Sequence, residues 1–132
     1  MCIHAPPQDL KSANILLSED HTTAKIGDMG LAQVLHQGEL QGKLPHGTYA
    51  WAAPELLAHT RLTSKADMYS FGVVLYELVT LEFPSRGRLR SVCAPQECPA
   101  IIKDLIKACL STSASERPTA REAFAVIKGS LG

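Results

Sequence analysis

The sequence predicts a mainly helical domain with a small β-hairpin at its N-terminal end, an α+β arrangement in one unit. Three observations lead there. Ser64-Lys65-Ala66-Asp67 is a capping box placed directly before a long apolar stretch. Two short apolar runs, Ile15–Leu17 and Thr22–Ile26, flank a polar turn. Between Ile101 and Leu110, apolar residues recur at helical spacing. The length of 132 residues suits one domain, and 45% hydrophobic with 20% charged residues is ordinary globular composition, which argues against a disordered chain.

Residues 1–8 read as irregular, because Pro6 and Pro7 block regular structure. The run Ile15-Leu16-Leu17 is bounded by Asn14 and by Ser18-Glu19-Asp20, and with Thr22–Ile26 it makes two short strands joined by a tight turn. From Gly27 to Pro45 periodicity is weak, so a long loop is expected, and long loops in compact domains are often functional. From Lys65 to Thr80 apolar residues fall on every face, from Met68 and Phe71 to Val74 and Leu78. A helix apolar all round is buried on all sides. This one is expected to be the central pillar, with Pro84 ending it. Phe83–Glu97 reads as loop, with Arg86, Arg88 and Arg90 at alternate positions. Pro99 suits the first turn of the next helix, where Lys103, Asp104 and Lys107 lie opposite the apolar face. Thr119-Ala120-Arg121-Glu122, a second capping box, opens a terminal helix holding Phe124, Val126, Ile127 and Leu131.

Charge and composition narrow the function. Thirteen basic and thirteen acidic residues give zero net charge, so no global field favours nucleic acid or an anionic membrane. The longest apolar run, Phe71 to Leu81, contains Glu77 and is too short to span a bilayer. The N-terminus lacks the pattern of a secretory signal. Cys2, Cys93, Cys98 and Cys109 form no C-x-x-C pair, and the five histidines are scattered, so reduced thiols and no structural metal site are expected.

Candidate chemistry gathers at both ends of the predicted hairpin. Asp9-Leu10-Lys11-Ser12-Ala13-Asn14 precedes the first strand, and Asp28-Met29-Gly30 follows the second. Magnesium prefers oxygen ligands, which the Asn14 amide and the Asp28 carboxylate supply. Lys11 offers positive charge for a phosphate, and Asp9 a carboxylate to accept or orient the proton of a hydroxyl nucleophile. Either motif alone also fits a polar turn flanking a hairpin.

Taken in order, the motifs carry more. Asp-Leu-x-x-x-Asn, a strand pair, Asp-x-Gly and then Ala53-Pro54-Glu55 resemble the catalytic half of a eukaryotic protein kinase. Gly47–Glu55 looks like the peptide-docking end of an activation segment, Asp67–Gly72 like the start of the buried central helix of the large lobe, and Glu116–Thr119 like the family's late arginine motif. The match runs from Asp9 to about Leu131 and is nearest the tyrosine-kinase-like group, the Raf-like and plant-type serine/threonine kinases. The fold implied is the C-terminal lobe of the protein-kinase fold, incomplete, with the small lobe absent.

The resemblance implies roles residue by residue. Asp9 is the catalytic base and Lys11 steadies the γ-phosphate. Asn14 and Asp28 hold magnesium on ATP. Thr48 helps receive a Ser or Thr substrate, although a plain turn residue would look the same. Glu55 and Arg117 form a buried ion pair pinning the activation segment to the large lobe. Asp67 is a local cap and an anchor for the catalytic loop. The expected cofactors are ATP and Mg2+, and the expected partner is a protein bearing the Ser or Thr acceptor.

Departures from the family pattern shape the expectations further. Pro7-Gln8 stand where the family has His-Arg, and Met29 stands for the Phe of Asp-Phe-Gly, where a flexible apolar side chain can fill the same slot. No Gly-x-Gly-x-x-Gly loop, Val-Ala-Ile-Lys strand or partner glutamate helix is present. Between Asp28 and Gly47 there is no Ser, Thr or Tyr, and Gln8 takes the arginine position, so control by mid-loop phosphorylation is not expected. The first reading is therefore a serine/threonine kinase seen as a fragment, with residues 1–8 a spurious start, regulatory regions upstream and the isolated chain inactive. The second is a catalytically inactive kinase-derived binding module or pseudokinase, docking partners through its Arg86–Arg90 loop. An unrelated helical domain is the third. The cytoplasm is the expected compartment.

Overall fold

The computed structural model describes residues 10–27, 49–58, 63–85 and 89–131. A 3₁₀ turn at Ser12–Asn14 leads into strand β1 (Ile15–Leu17), which pairs antiparallel with β2 (Ala24–Ile26) in the register Ile15 to Ile26 and Leu17 to Ala24. After a second 3₁₀ turn at Tyr49–Trp51 come α1 (Pro54–Leu57), α2 (Lys65–Thr80), α3 (Ala100–Cys109) and α4 (Ala120–Leu131). The described residues are mostly helical with a two-stranded sheet, as the sequence predicts.

The hairpin is held by its turn. Ser18 Oγ and Thr22 Oγ1 each donate to Asp20 Oδ1 at 2.7 Å, and Ser18 Oγ accepts from the Thr23 N–H at 3.0 Å. These bonds hold the exposed Asp20 carboxyl down at about 2. They let His21 adopt a left-handed φ of 58° and start β2 at Ala24, two residues later than the apolar run suggests.

Helix α2 is the pillar. It supplies residues to each of four buried clusters. Ala66 meets Ala52, Ala53 and Leu56; Met68 meets Leu105, Cys109 and Ala123; Tyr76 meets Val92, Cys98 and Ile106; Val73 and Val74 meet Trp51. Gly72 lets α3 come close: a Cβ there would lie 2.6 Å from Cys109 Cβ. The burial is less complete than a helix apolar all round leads one to expect: Tyr69, Phe71, Leu75 and Val79 are only partly buried, and Leu78 near the exit is exposed.

Three local expectations are corrected. Ser64 makes no side-chain cap on α2; the hydroxyl that reaches the first turn belongs to Thr63, whose Oγ1 accepts from the Lys65 N–H at 3.2 Å. The Ser64 backbone is already helical, so its hydroxyl is not in a capping geometry. Helix α2 stops at Thr80, not at Pro84: Leu81 takes a left-handed conformation (φ 57°) and its N–H closes on the Glu77 carbonyl. Pro99 stands one residue before α3, at its N-cap. The second capping box does form its main bond, Glu122 N–H to Thr119 Oγ1 at 3.1 Å. Among the described residues, no helix is long and apolar enough to cross a membrane.

Candidate active site

The open end of the hairpin carries Lys11 and Asn14, two of the candidate site residues. Lys11 is extended and precedes the 3₁₀ turn, which the Asn14 N–H closes on the Lys11 carbonyl at 3.0 Å. The turn reverses the chain so that Asn14 is buried while Ile15 enters β1. Across the hairpin, the Gly27 N–H donates to the Asn14 carbonyl at 2.6 Å. The last ladder bond thus ties Asn14 to the residue directly before Asp28. Leu10, the residue after Asp9, is buried against α2 and α4, where it shares an apolar groove of about 450 Å³ with Asp67, Phe71 and Phe124. Asp9, Asp28 and Thr48 themselves lie outside the described residues, as do Met29 and the Arg86–Arg88 part of the basic loop. The structure brings Lys11, Asn14 and Gly27 to one end of the sheet, and Leu10 and Asp67 line one groove.

A second group fixes the chain that follows Thr48. Trp51 is 4% exposed, and its carbonyl accepts from the buried Ser70 Oγ of α2 at 2.7 Å. Ala52 and Ala53 are buried next to it, and Pro54 opens α1 at a helical position where no amide hydrogen is missed.

The tightest knot joins α1 to the approach to α4. Arg117, 1% exposed, gives both ends of its fork to Glu55, Nη1 to Oε1 at 2.6 Å and Nη2 to Oε2 at 2.9 Å. Its remaining N–H groups reach the carbonyls of Ser111 (2.9 Å), Lys65 (2.9 Å) and Thr112 (3.4 Å). Lys65 Nζ donates back to the Arg117 carbonyl, and the guanidinium lies 5.3 Å from the centre of the Tyr69 ring. A buried guanidinium has five donors to satisfy, and all five find acceptors here. Burial pushes the Glu55 carboxyl up, but the Arg117 hydrogen bonds outweigh it and hold the group below its ordinary range. The pair expected from the resemblance is therefore present, with carbonyl contacts that the sequence did not announce.

One residue of the site escaped sequence reasoning. Glu77, on α2, accepts from Trp51 Nε1 at 2.9 Å and from Ser12 Oγ at 2.8 Å. It is the lone carboxylate in the apolar run from Phe71 to Leu81. That isolation was its signal, because a charge kept inside an apolar helix needs a partner.

Comparisons with known proteins identify the family. The family model of the protein kinase domain matches residues 2–126. The chain is 36% identical over 130 residues to the dual specificity protein kinase shkE of Dictyostelium discoideum, covering 87% of this chain and 18% of that protein. It is 36% identical over 134 residues to the serine/threonine/tyrosine-protein kinase HT1 of Arabidopsis thaliana, covering 92% of this chain and 34% of that protein. The chain thus spans about a third or less of the length of these curated relatives. With its ordered motifs, its buried central helix and its Glu55–Arg117 pair, the chain belongs to the protein kinase family.

Proposed function

We propose that this chain supplies the catalytic loop, the magnesium ligands and the substrate-docking segment of a protein serine/threonine kinase. The observation that carries the reading is the Gly27–Asn14 hydrogen bond, which seats the residue before Asp28 against Asn14. The donor set fits the cofactor: an amide oxygen and a carboxylate suit magnesium, and the Lys11 ammonium suits a phosphate. When bound, magnesium-ATP supplies the phosphoryl group and offsets the charge that develops on it. The chain's own residues do the remainder. Asp9 orients the acceptor hydroxyl and takes its proton. Lys11 places a positive charge at the transferring group. Thr48, three residues before Trp51, contributes to seating the acceptor side chain. Asp67 supports the catalytic loop from α2.

The relatives named for dual specificity or for serine, threonine and tyrosine make the acceptor the point to test. The natural product that carries this chain, purified from its source, should transfer phosphate from ATP to Ser and Thr peptides and not to the matched Tyr peptide. Asp9→Asn should lower kcat by about 100-fold or more. Equal transfer to the Tyr peptide would replace the serine/threonine reading with a dual-specificity one. Transfer unaffected by Asp9→Asn would overturn the assignment of the base.

A further inference from the structure

We propose that Glu77 is a positioning residue that ties the turn carrying Lys11 and Asn14 to the turn that follows Thr48. The proposal rests on the kinase reading above for what those turns do, and on geometry for the tie itself. Each oxygen of the Glu77 carboxylate holds a different segment: Oε1 the Ser12 hydroxyl, 65 residues earlier, and Oε2 the Trp51 indole N–H, 26 residues earlier.

Both ends of the bridge are otherwise braced. The Trp51 ring is buried and meets Phe83 edge to face at 5.7 Å, while the Trp51 carbonyl is bonded to Ser70, two turns before Glu77 on the same face of α2. An indole N–H is a donor only, so in this position it requires an acceptor with a fixed location. Ser12 sits between Lys11 and Asn14 in a single turn of 3₁₀ helix. A shift of Glu77 therefore moves the docking turn and the catalytic turn together, and its loss lets them move apart. Burial of the indole alone would explain the Trp51 arm. It does not explain the Ser12 arm, whose hydroxyl is exposed and could be solvated by water.

Two measurements test the tie and its role separately. Trp51 is the single tryptophan of the chain, so its indole N–H gives one unambiguous NMR signal. In the full chain, Ser12→Ala should shift that signal through the shared Glu77 carboxylate, and Glu77→Ala should speed its hydrogen exchange by about tenfold or more. Glu77→Gln should keep slow exchange, because its carbonyl still accepts from the indole and its NH₂ can donate to the Ser12 oxygen. In the natural kinase that carries this chain, Glu77→Ala should lower kcat about tenfold, and Glu77→Gln should restore most of it. Ser12→Ala should lower kcat with the thermal midpoint unchanged, an effect that a purely structural contact would not produce. An indole signal indifferent to Ser12→Ala removes the tie. A tie that holds while Glu77→Ala leaves kcat intact removes the positioning role. An inactive wild-type kinase removes the functional reading and that role with it, but leaves the NMR result to stand on its own.

Discussion

The hairpin that carries the candidate chemistry and the helical knot that carries Arg117 are built on opposite terms. The hairpin is three residues per strand, with Leu16 and Leu17 each 60% exposed, and it depends on a polar turn and the Asn14–Gly27 bond. The knot buries a charge completely and satisfies each of its donors. The comparison teaches where the fold invests its rigidity. The scaffold is locked in the helices, while Lys11 and Asn14 ride on a lightly packed edge, joined to the scaffold through Leu10 and Glu77.

If that division is correct, substitutions in the knot should act on stability. The largest effect belongs to Arg117→Ala, which strands the half-buried Glu55 carboxylate and three carbonyls. Urea denaturation should show a loss of about 3–5 kcal/mol. Arg117→Lys should recover little of it, since one ammonium cannot span a bidentate pair and three further acceptors. An unchanged midpoint would break the comparison. Because the folded Glu55 carboxyl titrates below its ordinary value, the pair contributes fully above that ordinary value and is lost as pH falls through the lowered one.

Gly72→Ala comes next. Its Cβ would collide with a Cβ of α3 that cannot swing aside, so a cost of about 1–3 kcal/mol is expected in the same denaturation experiment. Smaller again is Thr119→Ala, about 1 kcal/mol for the lost cap on α4. Ser64→Ala, at the capping box that looks equally good in sequence, should leave the midpoint unchanged, because its hydroxyl makes no cap. The smallest effect sharpens the hairpin side. Asp20 should titrate near 2 by NMR, and Thr22→Val should raise that value toward the ordinary 3.8. The turn's contribution is present above the ordinary value and fades as pH falls through about 2.

Much of this was legible in the chain. The unbroken apolar faces of Met68 to Val79 identified the pillar, and the alternation of short runs identified the hairpin. The resemblance supplied the pairing of Glu55 with Arg117. What stayed hidden was local and geometric. Thr63 and Ser64 are equivalent as capping residues on paper, and only the backbone angles choose between them. The exit of α2 has no glycine to advertise it: Leu81 bends left-handed while 89% exposed, so Pro84 was the visible stop. Glu77 told only against a membrane span, because its two partners are distant in sequence.

The bond from Arg117 to Glu55 spans 62 positions. A contact of such range forms late, after the chain between has been ordered. On the ribosome the docking segment emerges long before its arginine, and α1 must wait for almost the whole lobe before it can be pinned. Until then the Glu55 carboxylate is held by water and not by Arg117. The lobe should therefore gain the stability of this pair only once Arg117 has left the exit tunnel.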